Sequence, residues 1–537
     1  MTPPTGRIPF QQSSQIIQSE TIGRFAFLVG AGIFLSRITG LVRERFIGHY
    51  LGTSFAADAF RAALRIPNFL QNLFGEGALS ASFIPVYAKL LAQDDKKEAG
   101  YVAGAVFSLL AFLVSVLVLA GVLATPFLTA LIAPGFHGET RTLTVQLVRI
   151  IFPGVGLLVM SAWCLGILNS HRRFFLSYAS TVIWNAGIVA ALIAGRRSSL
   201  SSIAVYAAWG SVIGSGLQLA AQLPVVIALA PRLWFLARAA NDNVRTVVKN
   251  FIPVFVSRGV TQLSAFVDQI IASYLPESAV SGLSIAQAIY MLPVSLFGMS
   301  ISAAELPAMS SATGTPEQVA EALRKRIAAS TRRIGFFVVP SAIAFLALGD
   351  IVVGAIYQTG QFKAKDSIYV WGILAGSAIG LVASTVGRLY SSAYYALRDT
   401  RTPLRYAALR VVLTSGLGYL AALPLPRLLD INPRWGVAGL TASWGLAAWL
   451  EFLLLRRGMV RRIGPIESPA SYLGKLWLAA AIAAGVAWGA RWLIHPQQHH
   501  PWITAVAVLG PYGVVYLAMT AWFGIDQAVA LASRFRR

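Results

Sequence analysis

The sequence is poor in charge, and above all in negative charge. Of its 537 residues only 12% are charged, and 21 Asp and Glu stand against 44 Lys and Arg, which gives a formal net charge of +23. A soluble domain carries about 25% charged residues. This shortage excludes a soluble multidomain enzyme, because too few charges are left to cover its surface.

Cysteine and the motifs of soluble catalysts are also scarce. Cys164 is the single cysteine of the chain, which excludes an intramolecular disulfide and a Cys-rich metal site. The sequence has no Gly-rich loop ending in Lys-Ser or Lys-Thr, so direct drive by ATP is not expected. His499 and His500 are adjacent but lack carboxylate companions, which makes them a weak metal signal. We therefore predict no enzymatic activity, no metal site and no cofactor.

Long apolar stretches dominate the chain instead. Hydrophobic residues make up 56% of it, and the mean hydropathy is +0.66. A membrane crossing takes about 20 apolar residues, and backbone groups in lipid must be satisfied within the segment, so such stretches are helices. Pro67 and Pro293 are expected to interrupt the second and the eighth. We predict an all-α polytopic membrane protein with about 14 transmembrane helices, at 24–46, 66–92, 101–125, 142–167, 175–195, 202–230, 250–275, 280–308, 334–358, 367–396, 404–425, 435–455, 472–494 and 502–524.

The loops between these segments differ in positive charge. With the N-terminus placed inside, the cytoplasmic loops and termini contain 24 Lys and Arg, against seven on the opposite side. Basic residues concentrate in cytoplasmic loops. Both termini are therefore predicted to be cytoplasmic, and the basic excess needs no nucleic acid to explain it.

A weak internal repeat divides the chain into halves. The dipeptide Ser36-Arg37 recurs as Ser257-Arg258, 221 residues later. Six helices separate the copies, so both halves have the same orientation, as in transporters built from parallel repeats. The predicted domains are a cytoplasmic N-terminal segment (1–23), an N-lobe of six helices (24–231), a cytoplasmic linker (232–249), a C-lobe of six helices (250–457), and two extra helices with a cytoplasmic tail (458–537).

The first two segments contain an unusual number of ionisable residues, each costing about 2.5–3.5 kcal/mol at the membrane centre. Arg37 precedes Arg43 and Glu44 by six or seven residues, close to two helical turns, so we expect a shared face. Such a face lines a cavity for an anionic group, since guanidinium matches phosphate bidentately, or it forms a structural ion-pair network. The other candidates here are Asp58, Arg65 and Glu76.

The second half offers fewer candidates. Arg258 and Asp268 are ten residues apart on the seventh segment. Asp268 could pair with an arginine, bind a cation, or be a structural residue satisfied by hydroxyls. Arg149, Arg388 and Arg410 are expected near segment ends, where arginine side chains extend to the interface.

Several motifs resemble those of the MurJ (MviN) family of lipid II flippases. They span the chain from about residue 30 to 455 and together are quite specific, whereas the last two segments match only by position and hydrophobicity. The matching motifs are SRITGLVRE at 36–44, ADAF at 57–60, RIPN at 65–68, FGEGALS at 74–80, LNS at 168–170 with Phe174, LP at 306–307 and YALRDTRTP at 395–403.

The resemblance implies the multidrug/oligosaccharidyl-lipid/polysaccharide exporter fold, with two six-helix lobes around a central cavity and two extra helices forming a groove for a polyprenyl tail. It implies movement of undecaprenyl-diphosphate-linked disaccharide pentapeptide from the inner to the outer leaflet of the bacterial cytoplasmic membrane. Membrane lipids and the cell-wall synthesis machinery are the partners it suggests. The family's cavity residues fall on Arg37, Arg43, Glu44, Asp58 and Arg65.

The chain also departs from the family pattern. Gln71 and Asn72 stand where a basic residue is usual, and Ala288 and Met291 stand where the eighth segment usually supplies an arginine and a glutamate. Asp268 of a proposed sodium site is kept, but Thr414 and Gly418 replace the expected Asn and Asp. Coupling to the membrane potential or to an ion stays open, with sodium doubtful, and the substrate or activity could be altered.

Considered without the resemblance, the residues leave three alternative functions open. A flippase for another polyprenyl-diphosphate glycan, as in O-antigen export, would need the same basic cavity. A multidrug antiporter would prefer an acidic cavity for cationic drugs. A non-transporting member of the family is the third, because the eighth-segment arginine is missing.

The loop-charge count predicts that a cysteine at Ser311 is cytoplasmic. In a Cys164→Ala background, Ser311→Cys should stay unlabelled by an impermeant maleimide in intact cells and react once the cells are opened. A cysteine at Arg196, in a predicted exterior loop, is the positive control. Ready labelling of Ser311→Cys in intact cells would overturn the orientation.

Overall fold

The computed structural model describes residues 32, 34–74, 79–230, 241–311, 314–467, 470–494 and 499–535. This part of the chain is built from helices, and no strand occurs in it. The predicted all-α class is therefore confirmed. The segment 1–23 and Glu76 lie outside the described residues, as do 232–240 of the predicted linker.

Twenty-two α-helices follow one another along the described residues. The first nine are α1 (34–51), α2 (Phe55–Asn72), α3 (Ser80–Ala92), α4 (Lys96–Leu123), α5 (Thr125–Ile132), α6 (Gly138–Ser170), α7 (Phe174–Ala179), α8 (Thr181–Ala194) and α9 (Leu200–Leu229). The next seven are α10 (Asp242–Ser273), α11 (Ala279–Pro293), α12 (Ser300–Ser310), α13 (Pro316–Ala347), α14 (Gly349–Tyr357), α15 (Ala364–Ala378) and α16 (Leu381–Ala396). The last six are α17 (Arg401–Ala422), α18 (Pro424–Leu428), α19 (Gly436–Ile463), α20 (Ala470–Ile494), α21 (Pro501–Trp522) and α22 (Asp526–Phe535).

The number of membrane spans is close to the prediction but not identical to it. Within the described residues, ten helices are long and apolar enough to cross a membrane, or eleven if the bent pair α15 and α16 forms one span. Much of the first predicted segment is not described, and the second is divided between α2 and the short apolar helix α3. The predicted number of about 14 is thus approximate.

The two prolines expected to interrupt helices behave differently. After Pro293 the chain forms a π-helical turn, Val294–Met299, before α12 begins. Such turns are frequent where a side chain disturbs the regular hydrogen-bond ladder. The interruption predicted at Pro67 is wrong, because α2 continues through it to Asn72. Membrane helices tolerate proline where neighbouring groups satisfy the freed carbonyl.

The chain divides into two compact units. Unit 1 comprises the described residues up to Tyr50, Ala59–Ile132 and His137–Leu263, and unit 2 comprises Leu51–Asp58, Ala133–Phe136 and the described residues from Ser264 onward. The lobe boundaries predicted from the sequence stay predictions.

Glycine allows close helix packing in unit 1. A Cβ atom on Gly187 of α8 would lie 2.8 Å from the carbonyl oxygen of Gly210 and 2.8 Å from the Cα of Gly214, both on α9. Small residues let membrane helices approach closely where dispersion and packing, rather than the hydrophobic effect, drive association. This contact fixes α8, which positions residues of the candidate site described below.

In unit 2, side-chain hydroxyls satisfy backbone groups that a proline leaves open. Pro340 lies inside α13 and has no N–H to donate to the carbonyl of Phe336, four residues earlier. The Tyr516 hydroxyl of α21 donates to this carbonyl at 2.6 Å. Tyr512, one turn earlier on α21, donates to the carbonyl of Pro340 at 2.7 Å. The extra C-terminal helices therefore complete the hydrogen bonding of α13.

Hydrophilic residues begin two of the helices in unit 2. Thr315 and Gln318 form a capping box at the start of α13, which satisfies two otherwise free N–H groups. The Asp399 carboxylate accepts from the N–H groups of Arg401 and Thr402, each at 3.0 Å, at the start of α17. Hydrogen bonds from Thr402, together with the nearby Arg462, lower the pKa of Asp399 to about 2. The YALRDTRTP motif thus contains a helix cap.

Tyr516→Phe should destabilise the protein more than Tyr512→Phe. The first change leaves the Phe336 carbonyl without a donor, at a cost of about 1–3 kcal/mol, whereas the Pro340 carbonyl keeps the N–H of its own helix. The thermal midpoints of the two variants in the same detergent provide the comparison. Equal midpoints would show that the Pro340 gap is satisfied in another way.

Candidate functional site

Three charged side chains of unit 1 form one cluster. Arg43 Nη2 lies 2.8 Å from Glu44 Oε1, and Arg61 Nη1 of α2 lies 2.7 Å from Glu44 Oε2. The side chains of Arg43, Glu44 and Arg61 are 17%, 15% and 6% exposed. One carboxylate therefore pairs with two arginines, so the cluster keeps a surplus positive charge.

Helix α8 holds Arg43 in place. Arg43 Nη1 donates to Asn185 Oδ1 at 3.1 Å, and its guanidinium lies 4.9 Å from the centre of the Trp184 ring. Asn185 Nδ2 in turn donates to Thr39 Oγ1 at 3.2 Å, one turn earlier on α1. A guanidinium beside an aromatic face is favourable when it is shielded from water. The orientation of Arg43 is thus fixed by a network and not by its own helix alone.

The cluster retains unused hydrogen-bond donors. Arg43 Nε, Arg61 Nε and Arg61 Nη2 are buried, and none of them has a partner in the part of the chain that the structure describes. A buried donor without an acceptor is costly, and an anion that accepts from it would relieve that cost. No group of three or more His, Cys, Asp or Glu suited to a metal occurs among the described residues. Guanidinium N–H groups without a partner are donors of the kind that anions accept from.

Arg37 lies apart from this cluster. Six residues turn a helix by about 600°, so the side chains of Arg37 and Arg43 point about 120° apart. Consistently, Arg37 is exposed whereas Arg43 is mostly enclosed. The expectation of a shared face is therefore wrong for Arg37 and Arg43. Arg37 offers an accessible charge roughly 9 Å along the helix.

The structure describes only some of the remaining candidate residues. Arg65 is half-buried, one turn beyond Arg61 on α2. Glu76 is not among the described residues, and the side chains of Gln71 and Asn72 are not described either. Arg258 belongs to α10, but its side chain is likewise outside the description. Their predicted roles stay predictions.

Asp58 has the contacts of a helix cap. Its two carboxylate oxygens accept from the backbone N–H groups of Ser278 and Ser281, at 2.8 and 2.7 Å, where α11 begins. Reciprocally, Glu277 Oε1 accepts from the N–H of Phe55 at the start of α2, at 2.6 Å. A negative charge at a helix N-terminus is stabilised by the helix dipole and by the free N–H groups. Sequence reasoning missed Glu277, and no local signal could have found its contact, because Phe55 and Glu277 are 222 residues apart.

Asp268 makes a neutral contact. Its Oδ1 accepts from the indole Nε1 of Trp444 at 2.9 Å. At the two positions where sodium ligands were expected, a Cβ on Gly418 would meet Leu440 and Ser443, and the Thr414 backbone carbonyl accepts from Ser443 at 3.4 Å. The predicted cation-binding role of Asp268 stays a prediction.

Sequence reasoning also missed an ion pair in unit 2. Arg410 Nη1 of α17 lies 3.0 Å from Glu451 Oε2 of α19. Arg410 had been assigned to a segment end, but it is the tenth residue of its helix. Its depth in the segment was the signal that could have identified it.

The sequence of the chain is similar to those of known proteins. The family model described as lipid II flippase MurJ matches residues 47–510. A probable lipid II flippase MurJ of Rhizobium meliloti is 30% identical over 515 residues, which cover 94% of this chain and 93% of the relative. The lipid II flippase MurJ of Burkholderia cenocepacia is 29% identical over 446 residues, covering 82% of this chain and 84% of the relative.

Two solved structures share the fold. A lipid II flippase MurJ in an inward closed conformation superposes with a TM-score of 0.74 at 22% identity, covering 93% of this chain and 99% of that chain. An inward-facing multidrug resistance MATE transporter of the MOP superfamily gives a TM-score of 0.62 at 16% identity, covering 79% of this chain and 95% of that chain.

Glu44→Gln should destabilise the protein more than Arg43→Gln. Loss of the carboxylate charge leaves two enclosed guanidiniums unpaired, and breaking such a buried pair costs about 3–5 kcal/mol. Arg43→Gln leaves Glu44 paired with Arg61. Thermal midpoints measure the difference, and Glu305→Gln, which breaks the more exposed pair with Arg326, is the control. If Glu44→Gln and Glu305→Gln behave alike, the cluster does not depend on its shared carboxylate.

Proposed function

Because the chain belongs to the lipid II flippase MurJ family, we propose that it moves lipid II from the inner to the outer leaflet of the cytoplasmic membrane for cell-wall synthesis. The observation that carries this function is the family match, which runs through residues 47–510. The two relatives, which align with 94% and 82% of this chain, are both described as lipid II flippases. The resemblance seen in the sequence is confirmed, and the O-antigen alternative is not favoured.

The substrate explains why the site is basic. Lipid II joins a polyprenyl chain to a disaccharide pentapeptide through a diphosphate, so its head carries concentrated negative charge. Moving that charge through a membrane requires cationic partners inside the protein. The Arg43–Glu44–Arg61 cluster supplies them, because its surplus charge and unused N–H groups match phosphate oxygens.

The arginines of unit 1 have different roles in this proposal. Arg37 is exposed and accessible to a head group, whereas Arg43 and Arg61 are held by Glu44. Glu44 limits the cost of keeping two charges enclosed while the site is empty. Because the donors that Glu44 leaves unused are buried, a diphosphate reaches them in this proposal when the side chains of the cluster rearrange. Two more residues complete the proposed binding set. They are Arg65, which is half-buried on α2 one turn beyond Arg61, and Arg258.

The protein acts as a transporter in this proposal and catalyses no covalent step. It is a multi-pass membrane protein, and the loop charges support cytoplasmic termini. The proposed driving force is the membrane potential or an ion gradient, with sodium disfavoured. Gly418 supports this choice, since it has no side-chain oxygen where a sodium ligand was expected, and Thr414 offers a hydroxyl in place of an amide oxygen.

Complementation tests the function directly. The chain, expressed in a bacterium depleted of its own MurJ, should restore growth and cell shape. A strain lacking an O-antigen flippase, transformed with the same plasmid, should not regain O-antigen. Folded, membrane-inserted protein that fails to rescue the first strain would favour a non-transporting member, and rescue of only the second would favour the O-antigen alternative.

Replacing both Arg37 and Arg43 by Gln should abolish flipping of a fluorescent polyprenyl-diphosphate glycan in proteoliposomes. Each charge-assisted contact is worth about 1.5–3 kcal/mol, so losing two removes most head-group occupancy. The corresponding lysine variants keep the charge but not the planar fork, and should retain part of the activity.

Arg196→Gln with Arg197→Gln, a matched double change in the loop before α9, serves as the control. Parental flipping by the folded Arg37/Arg43 double Gln variant would assign these arginines to a structural network.

A further inference from the structure

Unit 2 contains a second group of charged side chains at one level. Besides the 3.0 Å pair of Arg410 with Glu451, Arg388 of α16 lies within electrostatic range of both residues. Tyr290 of α11 is within range of both arginines, and its hydroxyl shares a 2.6 Å hydrogen bond with Ser384 Oγ. Four helices therefore converge on two arginines and one carboxylate.

The group lies deep within its helices. Arg410 is nine residues from the start of α17, Arg388 is eight residues from the end of α16, and Glu451 is twelve residues from the end of α19. At 1.5 Å per residue these positions are about 12–18 Å from the helix ends. Each of the three residues therefore lies more than two helical turns from that end of its helix.

The side chains are nevertheless accessible. The side chain of Arg410 is 39% exposed and that of Glu451 is 13% exposed, and Arg388 is exposed as well. Charged groups at membrane depth face the bundle interior or a water-filled space rather than lipid. An ion pair that only ties helices together has no need of such access. The exposure therefore favours a binding role over a purely structural one.

The group lies where the family pattern is broken. Tyr290 is between Ala288 and Met291 on α11, the two positions at which an arginine and a glutamate were expected and are missing. Tyr290 is also within electrostatic range of Arg388 and Arg410. The arginine–glutamate pair near Tyr290 comes from α17 and α19.

We propose that Arg410 and Arg388 form a second anion-binding site, which binds the diphosphate of the polyprenyl carrier. This inference rests on the proposed function and specifies its site in unit 2. Glu451 occupies one donor of Arg410 and leaves the rest of the guanidinium fork for phosphate oxygens. With two arginines against one carboxylate, the site keeps a positive charge for the anion.

Binding of undecaprenyl diphosphate tests the site. The full-length protein is placed in nanodiscs of zwitterionic phosphatidylcholine, so that the probe is the only anionic lipid, and undecaprenol is the uncharged comparison. We expect Arg410→Gln to weaken diphosphate binding by about tenfold or more, the loss of one charge-assisted contact, without changing undecaprenol binding. Arg405→Gln, the same change on an exposed position of the same helix, should bind like the parent.

The exchanged pair Arg410→Glu with Glu451→Arg separates recognition from structure. If the pair is only structural, the exchange restores both the thermal midpoint and diphosphate binding, and the proposal is overturned. The proposal requires a restored midpoint with binding still impaired. Should Arg410→Gln fail to fold, Arg388→Gln, which breaks no ion pair found among the described residues, must weaken binding for the proposal to stand.

Rescue and binding measured on the parent chain distinguish failure of this site from failure of the proposed function. If the parent rescues the MurJ-depleted strain and binds the probe, but Arg410→Gln and Arg388→Gln bind it equally well, this site is wrong and the function stands. If the parent neither rescues nor prefers undecaprenyl diphosphate over undecaprenol, the function itself is wrong.

Discussion

A charge inside an apolar helix bundle needs a partner from another part of the chain, and this constraint governs the structure. The sequence has about half as many acidic as basic residues. The position of each carboxylate within a helix therefore decides which basic side chains are paired. Glu44 serves two arginines, Glu451 pairs with Arg410, and Asp350 pairs with Arg491 at 2.8 Å. Among the residues that the structure describes, no arginine forms an ion pair with Asp58, which is satisfied by the N-terminus of α11. Where carboxylates are too few, positive charge remains, and that surplus suits an anionic cargo.

The backbone obeys the same constraint. Polar backbone groups in lipid have no water to satisfy them, so each irregularity needs a local remedy. At Pro340 the remedy is a tyrosine from α21, and after Pro293 it is a π-helical turn. The two C-terminal helices are therefore more than an addition to the twelve-helix pattern, because one of them completes the hydrogen bonding of α13. This gives a physical reason for their presence that the hydropathy profile does not contain.

The fold class followed from the sequence because it depends on composition and segment length, which are local properties. The prominence of the first two segments followed from the cost of burying charge, and Arg43 and Glu44 lie in a cluster as that cost requires. The partners could not be predicted in the same way. Asn185 is 142 residues from Arg43, and no spacing rule connects them. The helix-cap contacts of Asp58 could not be predicted either, because a carboxylate in an apolar segment looks the same whether it meets a ligand or a helix end.

Sharing one carboxylate between two arginines has a consequence for transport. A fully paired cluster would have no donors left for a head group, and an unpaired one would be costly to keep enclosed and would bind a diphosphate too tightly for release. Conduction through any membrane path needs binding strong enough for entry and weak enough for exit. Glu44 provides the intermediate case, since Arg61 keeps Nε and Nη2 unused while its Nη1 is paired. In the proposed binding role of the cluster, the shortage of acidic residues, the first feature of the sequence, is thus what leaves donors for the substrate.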